Sequence, residues 1–195
     1  GKGKGEGKPA TGFMILEMRN ECAGCIIGKG GSIIKGIRQS TGARLEVREC
    51  NRYGGGERVV CIDGEPEQVD ATLCEIFNSI GEKHPGKGGV TLDTSNIEVV
   101  LIVPARRMGS LIGRGGENIT SVRSKSGARV KVDTTQQAAP EREVRIEGST
   151  EQCKEALRIV AQIFVTEGMT SSGGGGKGGK DGKRDRSRSP PPSSF

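Results

Sequence analysis

The chain has 195 residues, of which 33 are glycine, 28% are charged and 3% are aromatic, and its formal charge is +6. That length suits one or two small domains, and no apolar run approaches the roughly 18 residues that a membrane-spanning helix needs. The charge sits at the ends: residues 1–12 carry +2 and residues 171–195 carry +4, while residues 13–170 hold 21 basic and 21 acidic side chains. Long-range attraction for a polyanion therefore belongs to the tails, and any polyanion site in the folded part must be a local arrangement.

Gly1 to Gly7 alternate Gly with Lys or Glu, and residues 1–11 cannot bury apolar area and are expected to be disordered. Phe13 to Met18 read as a short strand. A short helical turn leads into Gly24-Cys25-Ile26-Ile27-Gly28-Lys29-Gly30-Gly31. Ile33, Ile34 and Ile37 then recur at helical spacing over 32–40, and Gly42 stands where a helix ends in a left-handed residue. Residues 44–48 alternate polar and apolar, as a half-buried strand does. A turn-rich stretch, 51–56, precedes a third strand over 58–63, closed by Gly64, and a long helix over 67–80. Residues 81–96, with Pro85 and Gly86-Lys87-Gly88-Gly89, read as a flexible linker.

The series then repeats. A strand over 97–103 leads to Gly109-Ser110-Leu111-Ile112-Gly113-Arg114-Gly115-Gly116, 85 residues after its counterpart. Ile119 and Val122 keep helical spacing over 117–125, Gly127 closes that helix, and 129–133 alternate. A turn over 134–140, a strand over 142–147, Gly148 and a helix over 151–165 complete the second unit. One offset spanning loop, helix and strand marks a duplicated unit. It slips by one residue only in the turn segment, where length changes are tolerated. The order β-α-α-β-β-α, twice, predicts an α+β chain: two three-stranded antiparallel sheets, each packed on three helices. The domain division is a tail over 1–11, a unit over 12–82, a linker over 83–95, a unit over 96–168, and a disordered Gly-rich and Arg/Ser/Pro tail over 169–195.

Several chemistries find no support. Cys22-x-x-Cys25 has no second pair, and the one histidine, His84, lies in the linker, so a four-ligand zinc site is not expected. Cys50, Cys61, Cys74 and Cys153 read as small apolar residues. The six cysteines without a signal peptide suggest a reducing compartment, and a chain that begins at Gly1 reads as a processed product or a fragment. The glycine loops do not space as a nucleotide-binding Walker loop, and Ile33 and Asn118 stand where a dinucleotide fingerprint needs its third glycine. No nucleophile–base set recurs, so neither catalysis nor a cofactor is expected. Four Phe and one Tyr cannot build an RRM stacking platform or furnish two OB-folds. Phe77 and Phe164 read as core.

Ile26-Ile27-Gly28-Lys29-Gly30-Gly31-Ser32-Ile33-Ile34 and Leu111-Ile112-Gly113-Arg114-Gly115-Gly116-Glu117-Asn118-Ile119 resemble the signature of KH domains, and the element order resembles the type I arrangement. Thr41-Gly42-Ala43-Arg44, Ser126-Gly127-Ala128-Arg129, and the Glu-Arg steps Glu57-Arg58 and Glu141-Arg142 further resemble the poly(C)-binding and heterogeneous nuclear ribonucleoprotein K group. The KH resemblance implies a groove for about four nucleotides, clamped at the backbone by the Gly-x-x-Gly loop. The chemistry is consistent. Gly28 to Gly31 and Gly113 to Gly116 let a phosphate approach the peptide, the next helix presents its positive end, and Lys29 or Arg114 adds charge. Ile27, Val47, Ile112 and Val132 are candidates for an apolar groove floor, with Gly24 and Gly109 leaving room for a base. The poly(C) resemblance places Arg38, Arg58, Arg123 and Arg142 at base-reading positions. Cytosine O2 and N3 both accept, and Arg offers only donors in a rigid fork. Arg44 and Arg129 are expected to shape the groove wall.

The resulting expectation is selective binding of single-stranded RNA or DNA, with C-rich or pyrimidine-rich RNA preferred. Its setting is post-transcriptional regulation in the nucleus or cytoplasm: splicing, mRNA stability or translation. Other ribonucleoproteins are possible partners, and no membrane or small-molecule substrate is implied. The alternative is a protein-interaction scaffold in which RNA binding is incidental. The segment Arg184 to Pro190 resembles a miniature arginine–serine tract, whose charge phosphorylation of Ser187 or Ser189 would cancel.

Overall fold

The structure, a computed structural model, describes residues 12–50, 56–82, 92–135 and 139–170. The first unit comprises β1 (Gly12–Arg19), α1 (Asn20–Ile27), α2 (Ser32–Thr41), β2 (Arg44–Glu49), β3 (Glu57–Gly64) and α3 (Pro66–Gly81). The second comprises β4 (Ile97–Pro104), α4 (Met108–Ile112), α5 (Glu117–Ser126), β5 (Arg129–Val132), β6 (Glu141–Gly148) and α6 (Thr150–Thr170). A short 3-10 turn lies between the first two helices of each unit, at Lys29–Gly31 and Arg114–Gly116. The β-α-α-β-β-α order read from sequence is present twice. Helix α6 runs into the segment expected to be a tail, as far as Thr170. Residues 1–11 and 171–195, including Ser187 and Ser189, lie outside the described residues, as do 51–55, 83–91 with His84, and 136–138.

The two three-stranded sheets are not separate. The strand order is β2-β3-β1-β4-β6-β5, one six-stranded sheet in which β1 and β4 pair antiparallel across the junction of the units. Leu16 faces Leu101 at that junction, and these residues occupy equivalent places in the repeat. Alternation explains the layers. Met14, Leu16, Met18, Leu45, Val60 and Ile62 face the helices, as do Ile97, Val99, Leu101, Val103, Val130, Val144 and Ile146, and all are buried in one continuous cluster with residues of all six helices. Phe77 and Phe164 belong to it, as expected. The opposite face is charged along its outer strands, with Arg44–Glu46–Arg48 on β2 and Lys131–Glu147 across β5 and β6.

The long helices bridge the units as well. Arg158 of α6 donates from Nε and a terminal nitrogen to both carboxylate oxygens of Asp70 on α3, at 2.6 and 3.0 Å. That fork-to-fork geometry is the strongest form of such a pair. The last residues of the presumed linker are also ordered by contacts: Leu92 packs on the core, and the Thr150 amide donates to the Thr94 carbonyl.

The final helix of the second unit is tied to the glycine that ends that unit's second helix, and its counterpart in the first unit closes a helix cap. In the second unit, Gln152 Nε2 donates to the Gly127 carbonyl while its Oε1 accepts from the Ser149 amide. In the first, Gln68 Oε1 accepts from the Glu65 amide and completes a capping box. The Gln152–Gly127 bond helps set the angle between α5 and the rest of the second unit.

Candidate nucleic-acid interface

The glycine loops have their conformation forced on them. Gly28, Gly30 and Gly31 have φ of 70°, 62° and 77°, and Gly113, Gly115 and Gly116 have 76°, 61° and 83°. This left-handed region is one that L-residues with a Cβ avoid. The first glycine of each loop is also needed for packing. A Cβ on Gly28 would lie 2.6 Å from Cγ1 of Ile33, and one on Gly113 2.8 Å from the Asn118 backbone nitrogen. The glycine at the middle is different: a Cβ on Gly30 or Gly115 would meet nothing within 4 Å. The first glycine thus lets the loop fold against the next helix, and the surface above the middle of the loop is open. Lys29 and Arg114 are exposed there, and neither forms an ion pair with a described residue. Gly31 and Gly116 are the left-handed N-caps of ten-residue helices, so the positive end of each helix opens beside the cation.

The two loops are not identical. At the position of Ile33, the second unit has Asn118, whose Nδ2 donates to the Ser110 carbonyl at 2.7 Å and staples α5 to α4 across the loop. At the position of Ser32 it has Glu117, a carboxylate in the first turn of the helix.

Beside each loop lie the residues expected to form a groove floor. Gly24 and Gly109 are exposed, and a Cβ on either would meet nothing within 4 Å, so an open surface lies over the first helix. Ile27 is half-buried, and Ile112, at 38% exposed, is the one exposed large hydrophobic residue among the described residues. Val47 and Val132 face the helix layer near the ends of their strands and are half-buried against the core.

The four arginines separate into two pairs. Arg38 Nε donates to the Leu45 carbonyl at 2.7 Å, and Arg123 Nε to the Val130 carbonyl at 2.9 Å. The same bond in both units ties the second helix to the second strand, the elements expected to wall the groove. It uses the inner nitrogen of the guanidinium and leaves both terminal NH2 groups without a partner among the described residues. Arg58 is more engaged: Nε donates to Asn20 Oδ1 at 2.9 Å and Nη1 to Glu49 Oε1 at 3.2 Å. Arg142 is half-buried and has a partner of its own. With Arg145 it helps hold the Asp133 carboxyl below the ordinary aspartate range, after the larger effect of hydrogen bonds from Thr135.

Arg44 and Arg129 do not shape the groove. They share the outward parity of Glu46 and Lys131 and pair on the open sheet face with Glu46 and Glu147, at 2.8 and 3.8 Å. Alternation against Leu45 and Val130 puts them there, and the repeated Gly-Ala-Arg step gave no warning of it. Sequence reading also missed Gln68, Gln152 and Asn118. The signal for the glutamines was a polar residue three positions before each, at Glu65 and Ser149.

The thiols offer little chemistry. Burial pushes Cys22 up to about 11 and Cys153 up to about 12, and also raises Cys25 and Cys61. All are therefore protonated near neutral pH, and a thiol is a poor nucleophile or ligand. One group of potential metal donors occurs among the described residues: Glu17, Cys50 and Glu57, with ligand atoms within 4.8 Å of one another. Glu17 there already has a partner in the fold.

Comparison with known proteins is consistent with this arrangement. A family model described as "KH domain" matches residues 14–78 and again 98–162. The human "Tudor and KH domain-containing protein" is 32% identical over 151 residues, 75% of this chain and 25% of that protein. "RNA-binding protein Pasilla" of Drosophila melanogaster is 30% identical over 74% of this chain and 20% of its own length. Human "Far upstream element-binding protein 1" is 25% identical over 88% and 27%. The chain thus spans about a quarter of these relatives. Among solved structures, the first type I KH domain of human Vigilin aligns with 47% of this chain and 97% of its own, at 18% identity and a TM-score of 0.33. Two family matches covering more than half of the chain, on two units with the same element order and the same left-handed glycines, place this protein in the KH domain family.

Proposed function

We propose that this chain binds single-stranded RNA, one short tract in each of its two grooves, with a preference for cytosine-rich or pyrimidine-rich sequence. Such binding serves post-transcriptional regulation, of splicing, mRNA stability or translation, in the nucleus or cytoplasm. The observation that carries the reading is the duplicated arginine. Arg38 and Arg123 are each held through Nε on a strand carbonyl, with a two-pronged donor left over. A donor-only fork suits cytosine O2 and N3, which both accept. The exposed Gly24 and Gly109 leave space for a base beside it. At the loop, phosphate meets Lys29 or Arg114 and the N-terminus of α2 or α5. The curated name of Pasilla, an RNA-binding protein, agrees in class.

Arg58 and Arg142 act at the far side of the grooves. Arg58 gives up its contact with Glu49, which is 76% exposed, to meet a base. The experiment is fluorescence anisotropy of the intact chain against C-, U-, A- and G-rich oligomers at one physiological salt concentration. The C-rich oligomer is expected to bind tightest. Equal affinity for all four would reduce the arginines to phosphate contacts, and no saturable binding would favour a protein-interaction scaffold. Replacing Lys29 and Gly30, or Arg114 and Gly115, with Asp is expected to weaken binding with the fold retained: a Cβ at Gly30 or Gly115 would meet nothing within 4 Å, and Asp enters the left-handed region more readily than most residues. An unchanged dissociation constant with both loops altered refutes the clamp.

A further inference from the structure

The way the units are joined fixes how a bound strand must run. Leu16 and Leu101 are equivalent residues of the repeat and face each other in the β1–β4 register. Their neighbours are exchanged in the same sense: Ile15 faces Ile102, and Glu17 faces Val100. A pseudo-twofold axis therefore passes through the Leu16–Leu101 pair. It stands normal to the sheet, because the helices of both units pack on the same face in one core.

An axis in that direction has two consequences. It places the groove-lining strands β2 and β5 at opposite edges of the sheet. Five strand spacings separate them, about 24 Å at about 4.8 Å each. It also reverses every direction within the sheet plane, so the two grooves run antiparallel. The residues that join the units hold this geometry independently of the linker: the β1–β4 ladder, the shared core, and the Arg158–Asp70 pair between α3 and α6. The units are thus not two modules free to line up along one extended strand.

Resting on the RNA-binding reading of each groove, we infer that the preferred ligand is a single strand carrying two short tracts separated by an unbound spacer. The strand ascends one edge, crosses the width of the molecule, and descends the other. Two adjoining tracts can fill only one groove, because the end of the first lies a molecule's width from the start of the second. The pseudo-twofold makes either order of occupancy equivalent in topology, so the rule concerns spacer length and not which tract comes first.

The test uses the intact chain and RNAs with two four-nucleotide tracts of whichever base binds best, joined by spacers of a non-binding base from zero upward. With no spacer, the dissociation constant is expected to match that of a one-tract RNA. Past a threshold length it is expected to fall roughly a hundredfold, at the lower end of the gain from linked sites. The gain is expected to vanish when Arg114→Asp and Gly115→Asp disable the second loop. Saturable one-tract binding with no change at any spacer length overturns the inference alone, as does full affinity with no spacer. Absence of binding to every RNA overturns the reading of the grooves, and this inference with it.

Discussion

At the residue scale, glycines that look alike in sequence do different jobs, and substitution separates them. Gly24 and Gly109 lie in the first helices, where a Cβ would meet nothing. Alanine in a helix is worth about 0.5–1 kcal/mol over glycine, so Gly24→Ala and Gly109→Ala are expected to raise the melting temperature slightly. The same methyl occupies the space left for a base, so RNA affinity is expected to fall while stability rises. Gly28→Ala is the opposite case: the left-handed φ and the 2.6 Å approach to Ile33 predict a loss of about 1–3 kcal/mol. Thermal melts and anisotropy on the three variants check the signs. If Gly24→Ala bound RNA as well as the parent chain, the base pocket would not lie over that helix. The sequence marked all these glycines through the repeat but could not rank them. Ranking depends on what each Cβ would touch, and that is set by residues elsewhere in the fold.

At the element scale, the regular parts were legible because periodicity and end signals agreed. Each of the strands and the longer helices stands within a few residues of its expected place, since alternation at 44–48 or a left-handed glycine at 42 and 127 acts locally. Helix α6 runs past its expected end at 165 and through Gly168, since a helix tolerates one glycine for about 1 kcal/mol. The contacts between elements were not legible. Gln152 joins the start of α6 to the end of α5 through the Gly127 carbonyl and accepts from the Ser149 amide, and only a folded chain brings 127 and 152 together. Removing both bonds by Gln152→Ala is expected to cost about 1–2 kcal/mol, or a few degrees of melting temperature for a chain of this size. The loss should appear with RNA absent. An unchanged melt would mean that α5 is held against α6 by apolar contact alone.

At the scale of the whole molecule, the sequence suggested two units on a flexible linker and did not fix how they pack, and the structure joins them in one sheet and one core. A trace of the junction was present in the run Val99-Val100-Leu101-Ile102-Val103. A strand buried on both faces reads as a continuous apolar run, and Ile102 on the outward face is only 6% exposed. The first strand hid the same role behind Glu17, which is 4% exposed among the sheet's inner strands. A continuous core predicts that both units melt together. The polar bridge between them, Arg158 to Asp70, is about a third exposed on each side. Screening by water limits an ion pair of that kind to about 1 kcal/mol. Arg158→Ala is therefore expected to lower the melting temperature by about 2–4 °C and to leave a single calorimetric transition, because β1–β4 pairing and the apolar core still couple the units. A melt that divides into two transitions in the unaltered chain would refute the single body, and the fixed antiparallel grooves with it. Division only in the Arg158→Ala chain would assign the coupling to the α3–α6 contact instead of the sheet.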